Sequence, residues 1–178
     1  MTENDIIKGC LRNDAACQRQ IFNRYAGKML AVCHRYAHSQ VEAEDILQDA
    51  FIKVFKNLDR FRFEGSFEGW IRRIVVNTAL KTFRQKHVKY EDVGLEAIPE
   101  VPLEPTAISN LGEQEIMAMI NELPEGYRIV FNLFAIEGYS HKEISAMLQI
   151  QEGTSRSQLA KARRLLQVKL ANLNRVAI

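Results

Sequence analysis

The chain is poor in the residues that punctuate loops and staple small folds. Its 178 residues include nine glycines, four prolines and three cysteines. Cys10, Cys17 and Cys33 form no CxxC pair, which excludes a zinc ribbon and a disulfide framework and leaves reduced, partly buried thiols. No apolar run approaches the ~20 residues of a membrane span. The opening MTENDIIKGC lacks a basic-then-apolar leader, so a cytoplasmic protein without membrane insertion is expected. No Gly-rich phosphate loop is present, and no nucleophile stands beside a histidine at a known spacing. His34, His38, His87 and His141 are scattered. The expectation is a non-enzyme without metal or cofactor.

Charge is abundant but unevenly placed. Net charge is only +2. Residues 1–52 carry −1, 53–90 carry +7, 91–125 carry −9 and 126–178 carry +5. Two basic blocks flank an acidic one, which suggests two contacts with a polyanion. Basic helices with merely solvated faces are the plainer alternative. Three of the four prolines, Pro99, Pro102 and Pro105, fall in the acidic block. Residues 89–109 therefore read as a linker between domains 1–88 and 110–178.

Both flanks carry helical periodicity. Apolar positions recur at three- and four-residue steps from Ala15 to His38 and from Val41 to Leu58. A third helix is expected from about Ser66, its N-cap, to Lys86, with Phe67, Ile71, Ile74, Val75 and Thr78 inward. Leu111–Leu123 and Glu125–Ile136 predict two more, with Pro124 at the first helical position and Gly138 as C-cap. No alternating strand pattern competes. The expected fold is all-α, in two small helical domains.

Ser140-His141-Lys142-Glu143 is a capping box. A short helix with Ile144, Met147 and Leu148 on one face follows, then a turn at which Ile150 packs inward. A longer basic helix then opens at Glu152-Gly153-Thr154. This is the pattern of a helix-turn-helix. At 100° per residue, Ser155, Leu159, Ala162 and Leu166 share one side of that helix. Arg156, Ser157, Ala160, Lys161 and Arg164 share the opposite side, suited to a major groove.

The third helix bears a stripe of Arg73, Asn77, Lys81 and Arg84. Trp70, the only tryptophan, projects toward that stripe, and LDRFRFEGS before it interleaves Arg60 and Arg62 with Phe61 and Phe63. Aromatics beside cations suit unstacked bases. A core role for Trp70, Phe61 and Phe63 is the competing reading. The second helix shows Glu44, Asp45, Gln48 and Asp49 outward with Ile52 among them, fitting either a protein partner or a solvated face. Asp45 and Asp49 lack a third ligand at motif spacing, which leaves a metal-dependent nuclease poorly supported.

The stretches EDILQDAF (44–51), GSFEGWIRRIVVNTAL (65–80) and LPEGYRIVFNLFAIEGYSHKEISAMLQIQEGTSRSQLAKARRLL (123–166) together resemble bacterial RNA polymerase sigma factors of the extracytoplasmic-function (ECF) group. The resemblance runs from about Asp5 to Leu170. It implies that Asp45, Gln48, Asp49, Phe51 and Phe55 face the clamp of core RNA polymerase. It implies that Phe61, Arg62, Phe63, Trp70, Arg73, Asn77, Lys81 and Arg84 hold the opened strand of the −10 element. Arg156, Ser157, Gln158, Ala160, Lys161 and Arg164 would read the −35 element of promoter DNA. An anti-sigma factor and a monomeric free state are also implied. Family members commonly have glycine at Gln149, serine at Gln151, valine at Ser155 and arginine at Gln158; the serine at 155 is expected to weaken packing slightly. The rival is a stand-alone helix-turn-helix regulator binding duplex DNA as a dimer, which predicts a palindromic site.

Overall fold

A computed structural model describes residues 2–87 and 112–176, without the side chains of 85–87, 113 and 174–176. The linker expected at 89–109 lies outside the described residues, as does Leu111. The chain divides into two compact units, Met1–Lys89 and Tyr90–Ile178. Among the described residues every regular element is helical.

In the first unit, α1 (Glu3–Leu11) precedes α2 (Ala15–His34), α3 (Gln40–Lys56), a 3-10 turn (Leu58–Arg60) and α4 (Phe67–His87). Helix α1 lies ahead of the first periodic stretch in the sequence, Ala15–His38. It is opened by a capping box between Thr2 and Asp5, and it buries Ile6, Ile7 and Cys10. Its approach to α2 depends on Gly9. A Cβ at that position would stand 2.3 Å from Cys17 Sγ.

Asp14 caps α2 by accepting from the amides of Ala16 and Cys17 at 2.8 and 3.2 Å. The helix ends at His34, four residues before the expected end. The amides of Arg35, Tyr36 and Ala37 close back onto the carbonyls of Val32 and Cys33. The chain still keeps Tyr36 and Ala37 buried. That tight turn frees Ser39 to cap α3, where Ser39 Oγ accepts from Glu42 N at 3.2 Å. Ile21, Tyr25, Met29, Val32 and Cys33 of α2 meet Ala43, Ile46, Leu47, Ala50, Phe51 and Val54 of α3 in the core. Each fully buried Ile or Met contributes about 1.5–3 kcal/mol over its exposed state.

Helix α4 packs on both α2 and α3, which is why its buried face is wider than the periodicity implied. Val76, Ala79 and Leu80 join Phe67, Ile71, Val75 and Thr78 inside, while Ile74 is only half-buried. All three cysteines are free and buried. Burial raises the thiol pKa of Cys10 to about 11 and that of Cys33 to about 12, keeping both protonated.

The second unit contains α5 (Glu113–Asn121), α6 (Glu125–Phe131), a π-helical turn (Asn132–Ile136), α7 (His141–Leu148) and α8 (Glu152–Val176). Pro124 is the N-cap of α6 rather than its first helical residue. Its backbone is extended at ψ 141, and its carbonyl accepts from Arg128 N at 2.9 Å. The predicted Glu125–Ile136 helix is present in two parts, because its last turn widens to π geometry. Gly138 then adopts φ +80, which only glycine takes without steric cost.

The capping box of α7 is complete. Glu143 N donates to Ser140 Oγ at 3.3 Å, and Ser140 N donates to Glu143 Oε2 at 2.8 Å. Gln149 ends α7 in the left-handed region at φ 59, ψ 41. Ile129, Val130, Leu133, Ile144, Leu148, Leu159 and Ala162 form this unit's core. Met147, Ile150 and Leu166 are half-buried.

Candidate nucleic-acid interface

One face of the first unit combines an aromatic cluster, a cavity and a basic stripe. Ser66 caps α4 by accepting from Gly69 N at 3.3 Å, which sets Trp70 one turn into the helix. Phe61 touches Phe63, Phe67 and Trp70, with ring centroids 5.0, 5.0 and 5.5 Å away. Phe67 stacks on Trp70 at 5.8 Å and 14°. Phe67 in turn meets Tyr25 edge-on at 5.8 Å, so the cluster is rooted in the core.

The two readings of Trp70 are reconciled by its position. It is half-buried: one side packs on Phe61 and Phe67, and another lines an open cavity of about 330 Å³. Lys53, Asn57, Arg60, Ile74, Asn77 and Thr78 complete the lining. Lys53 Nζ donates to Thr78 Oγ1 at 3.0 Å, and Thr78 Oγ1 donates to the carbonyl of Ile74 at 2.8 Å. Asn57 Nδ2 donates to the carbonyl of Lys53 at 2.8 Å, which leaves its Oδ1 as an acceptor. Lys53 and Asn57 escaped the sequence analysis. Lys53 lies in the last turn of α3 and Asn57 is its C-cap, and only the packing of α3 against α4 brings them beside Trp70.

Arg73, Asn77 and Lys81 are exposed along α4, and Arg84 is half-buried on the same stripe. Arg62 and Phe63 are exposed in the loop before it. Phe63 has φ 58 and is 46 % exposed. A bulky residue in the left-handed region is costly, and such strain concentrates at functional sites. Phe61 is different. At 8 % exposure it supports the cluster from within and presents little surface to a ligand.

On α3, Asp45, Gln48 and Asp49 are exposed, with Ile52 among them at 51 %. Phe55 is half-buried. Phe51, expected to face a partner, is 3 % exposed and packs edge-on against Phe22 at 4.9 Å. It shares the inward stripe of Leu47 and Val54, so its contribution is to the core. Among the described residues no group of three metal-ligating side chains gathers at Asp45 and Asp49.

In the second unit, Arg156, Ser157 and Ala160 of α8 are exposed, and Lys161 and Arg164 are half-buried. Arg156 pairs with Glu152 at 2.8 Å one turn earlier. Lys161 Nζ lies 5.8 Å from the Tyr127 ring centroid. Gln158 does not share the open face. Its amide lies 3.5 Å from where a Cβ on Gly126 would stand, against α6. Ser155 is fully buried, and its Oγ lies 2.9 Å from His141 Nδ1. The serine, expected only to weaken packing, therefore makes a buried polar contact.

The comparisons with known proteins give the family. The family model of Sigma-70 region 2 matches residues 21–88, and that of Sigma-70, region 4 matches residues 113–166. The ECF RNA polymerase sigma factor SigW of Bacillus subtilis is 30% identical over 183 residues, covering 94% of this chain and 96% of that protein. The RNA polymerase sigma-H factor of Pseudomonas aeruginosa is 28% identical over 98% of this chain and 97% of its own. SigE of Mycolicibacterium smegmatis is 33% identical over 85% of this chain and 61% of its own. Among solved structures, the sigma factor RpoE of Bartonella quintana, in complex with the anti-sigma factor NepR, has a similar fold. Its TM-score is 0.52 at 23% identity, covering 86% of this chain and 96% of that one. The chain belongs to the ECF sigma factors, and it directs transcription initiation. Sigma factors are non-enzymatic initiation factors. Among the described residues no helix is long and apolar enough to cross a membrane.

Proposed function

We propose that the two units divide promoter recognition between them on the surface of core RNA polymerase. The domain over residues 1–88 docks on the clamp through Asp45, Gln48 and Asp49, with Ile52 and Phe55 supplying apolar area. It holds the opened non-template strand of the −10 element through Arg62, Phe63, Trp70, Arg73, Asn77, Lys81 and Arg84. The cavity beside Trp70 receives one extruded base, with Lys53, Asn57 and Arg60 as its polar lining. Stacking worth about 1–3 kcal/mol per base then offsets the few kcal/mol of unpairing. The domain over residues 110–178 reads the −35 duplex through Arg156, Ser157, Ala160, Lys161 and Arg164. The chemistry of RNA synthesis belongs to the polymerase; this chain is not an enzyme. Tethering both domains to one polymerase turns two weak contacts into one specific contact. The free chain is a cytoplasmic monomer, and an anti-sigma factor is its inhibitory partner.

The observation that carries this reading is the half-buried Trp70, anchored on one side and lining an open cavity on another, next to the Arg73–Asn77–Lys81 stripe. The test is co-elution of the chain with bacterial core RNA polymerase, alongside a Gln48→Ala/Asp49→Ala variant. Core binding lost only in the variant supports the docking assignment. A wild-type chain that ignores core and shifts duplex DNA as a dimer replaces it with a stand-alone regulator.

A further inference from the structure

We infer that His141 and Ser155 form a positioning pair that sets the rotation of the recognition helix, and thereby the base preference of Arg156 and Ser157, which follow directly on α8. The inference rests on the reading of α8 as the duplex-reading helix. His141 is the first residue of α7, and Ser155 lies in the first turn of α8. Their side chains meet at 2.9 Å between His141 Nδ1 and Ser155 Oγ. The His141 ring is itself held, stacked on Phe134 of the π-helical turn at 4.6 Å and 23°. Phe134 also carries Arg163 over its ring at 5.7 Å. The fixed point thus joins the π-helical turn, α7 and α8, and it stands immediately before the exposed Arg156 and Ser157.

The remaining α7–α8 seam is apolar, built from Ile144, Leu148, Leu159 and Ala162. The hydrophobic effect is non-directional, so close packing against α6 and α7 resists large turns of α8 but does not by itself choose among small ones. A hydrogen bond between a stacked ring and a fully buried hydroxyl does choose, because it weakens steeply off its preferred angle. The hydroxyl can donate or accept, so the bond is available to either imidazole tautomer. A side chain on α8 reaches about 6 Å from the helix axis, so a rotation of about 10° moves its tip by about 1 Å. That displacement takes a 2.9 Å contact to a base edge beyond hydrogen-bond range. A slight turn of α8 therefore changes which bases Arg156 and Ser157 can satisfy, without unfolding the domain.

The experiment uses holoenzyme reconstituted from the full chain and bacterial core polymerase. A promoter library randomised over the upstream element defines the preferred sequence and its discrimination against single-base changes. His141→Phe keeps a ring on Phe134 and removes the nitrogen. Ser155→Ala removes the hydroxyl. Each is expected to lower discrimination by roughly fivefold or more, the scale of one lost base contact. Core co-elution and the helical circular dichroism of each variant should match wild type. His141→Asn retains a polar atom near the Nδ1 position and is the rescue, expected to recover most of the discrimination without the stacking. Should either single variant fail to fold, His141→Phe/Ser155→Val, apolar at both positions, replaces it with the same expected loss. Variants that melt at lower temperature but keep wild-type discrimination would overturn the inference and leave the pair as packing. A wild-type holoenzyme with no upstream preference would overturn the reading of α8 as well.

Discussion

Phe63 separates stability from function in a way that two substitutions resolve. Its backbone lies at φ 58. For a residue with a Cβ this region costs about 1–2 kcal/mol. Phe63→Gly removes that cost but adds unfolded-chain entropy of about 0.5–1 kcal/mol. It also forfeits the ring contact with Phe61 at 5.0 Å, worth about 0.5–1.5 kcal/mol. The glycine variant should therefore stay within about 1.5 kcal/mol of wild type, far from the ~3–5 kcal/mol of a buried Phe→Ala truncation. Phe63→Ala loses the same ring and keeps the backbone cost. It should be less stable than Phe63→Gly by about 0.5–1 kcal/mol, an inversion of the usual preference for alanine. Urea unfolding followed by circular dichroism measures both. Function should not follow the same order. With the ring gone, both variants should bind a single-stranded −10 oligonucleotide in holoenzyme about 5–150-fold more weakly, the equivalent of one stacked base. An alanine variant as stable as the glycine variant would refute the strain argument. Undiminished oligonucleotide binding would refute the role of the ring.

Other consequences follow from the same geometry. Gln149→Gly, at an exposed position with φ 59, should stabilise the second unit by about 0.5–1 kcal/mol in urea unfolding. Gly9→Ala should destabilise the first unit by about 1–3 kcal/mol, since its Cβ would meet Cys17 Sγ; a neutral result would mean that α1 can lift away freely. Tyr25 Oη donates to Glu3, and burial, with that bond, pushes its pKa up to about 12 from an ordinary value near 10. The folded state thus favours the neutral phenol: its contribution is complete below about pH 10 and is lost as pH rises toward 12. Tyr25→Phe should flatten that alkaline limb in pH-dependent melting. Arg156→Ala and Lys161→Ala should weaken upstream-element binding while leaving core co-elution intact. Equal loss of both activities would refute the division of labour.

What the sequence made legible was whatever is local. The Ser140–Glu143 box, the Ser66 cap and the α3 and α4 stripes are written in residues one or two turns apart, and the helices form where those signals stand. Charge blocks and interleaved aromatics pointed to the α4 face for the same reason. Features that depend on two elements meeting were not legible. Helix α1 is a single short amphipathic stretch, and its burial is decided by Gly9 against Cys17. Phe51 and Phe61 carry surface-like motif neighbours but turn inward, because Phe22 and Phe67 come from other helices to cover them. Lys53 and Asn57 enter the cavity only through α3–α4 packing. His141 and Ser155 are 14 residues apart, and no periodicity links them.

The position of Trp70 would also make the proposed base capture optically accessible. It is the only tryptophan in the chain, so the red-edge emission of the free protein comes from one indole on one face. That indole stacks on Phe67 and borders the cavity proposed to receive an extruded base. A base arriving there would stack within quenching distance, whereas the side chains proposed to read duplex DNA belong to the other unit. Under the proposed base capture, Trp70 emission would report strand entry with no label added and no residue replaced.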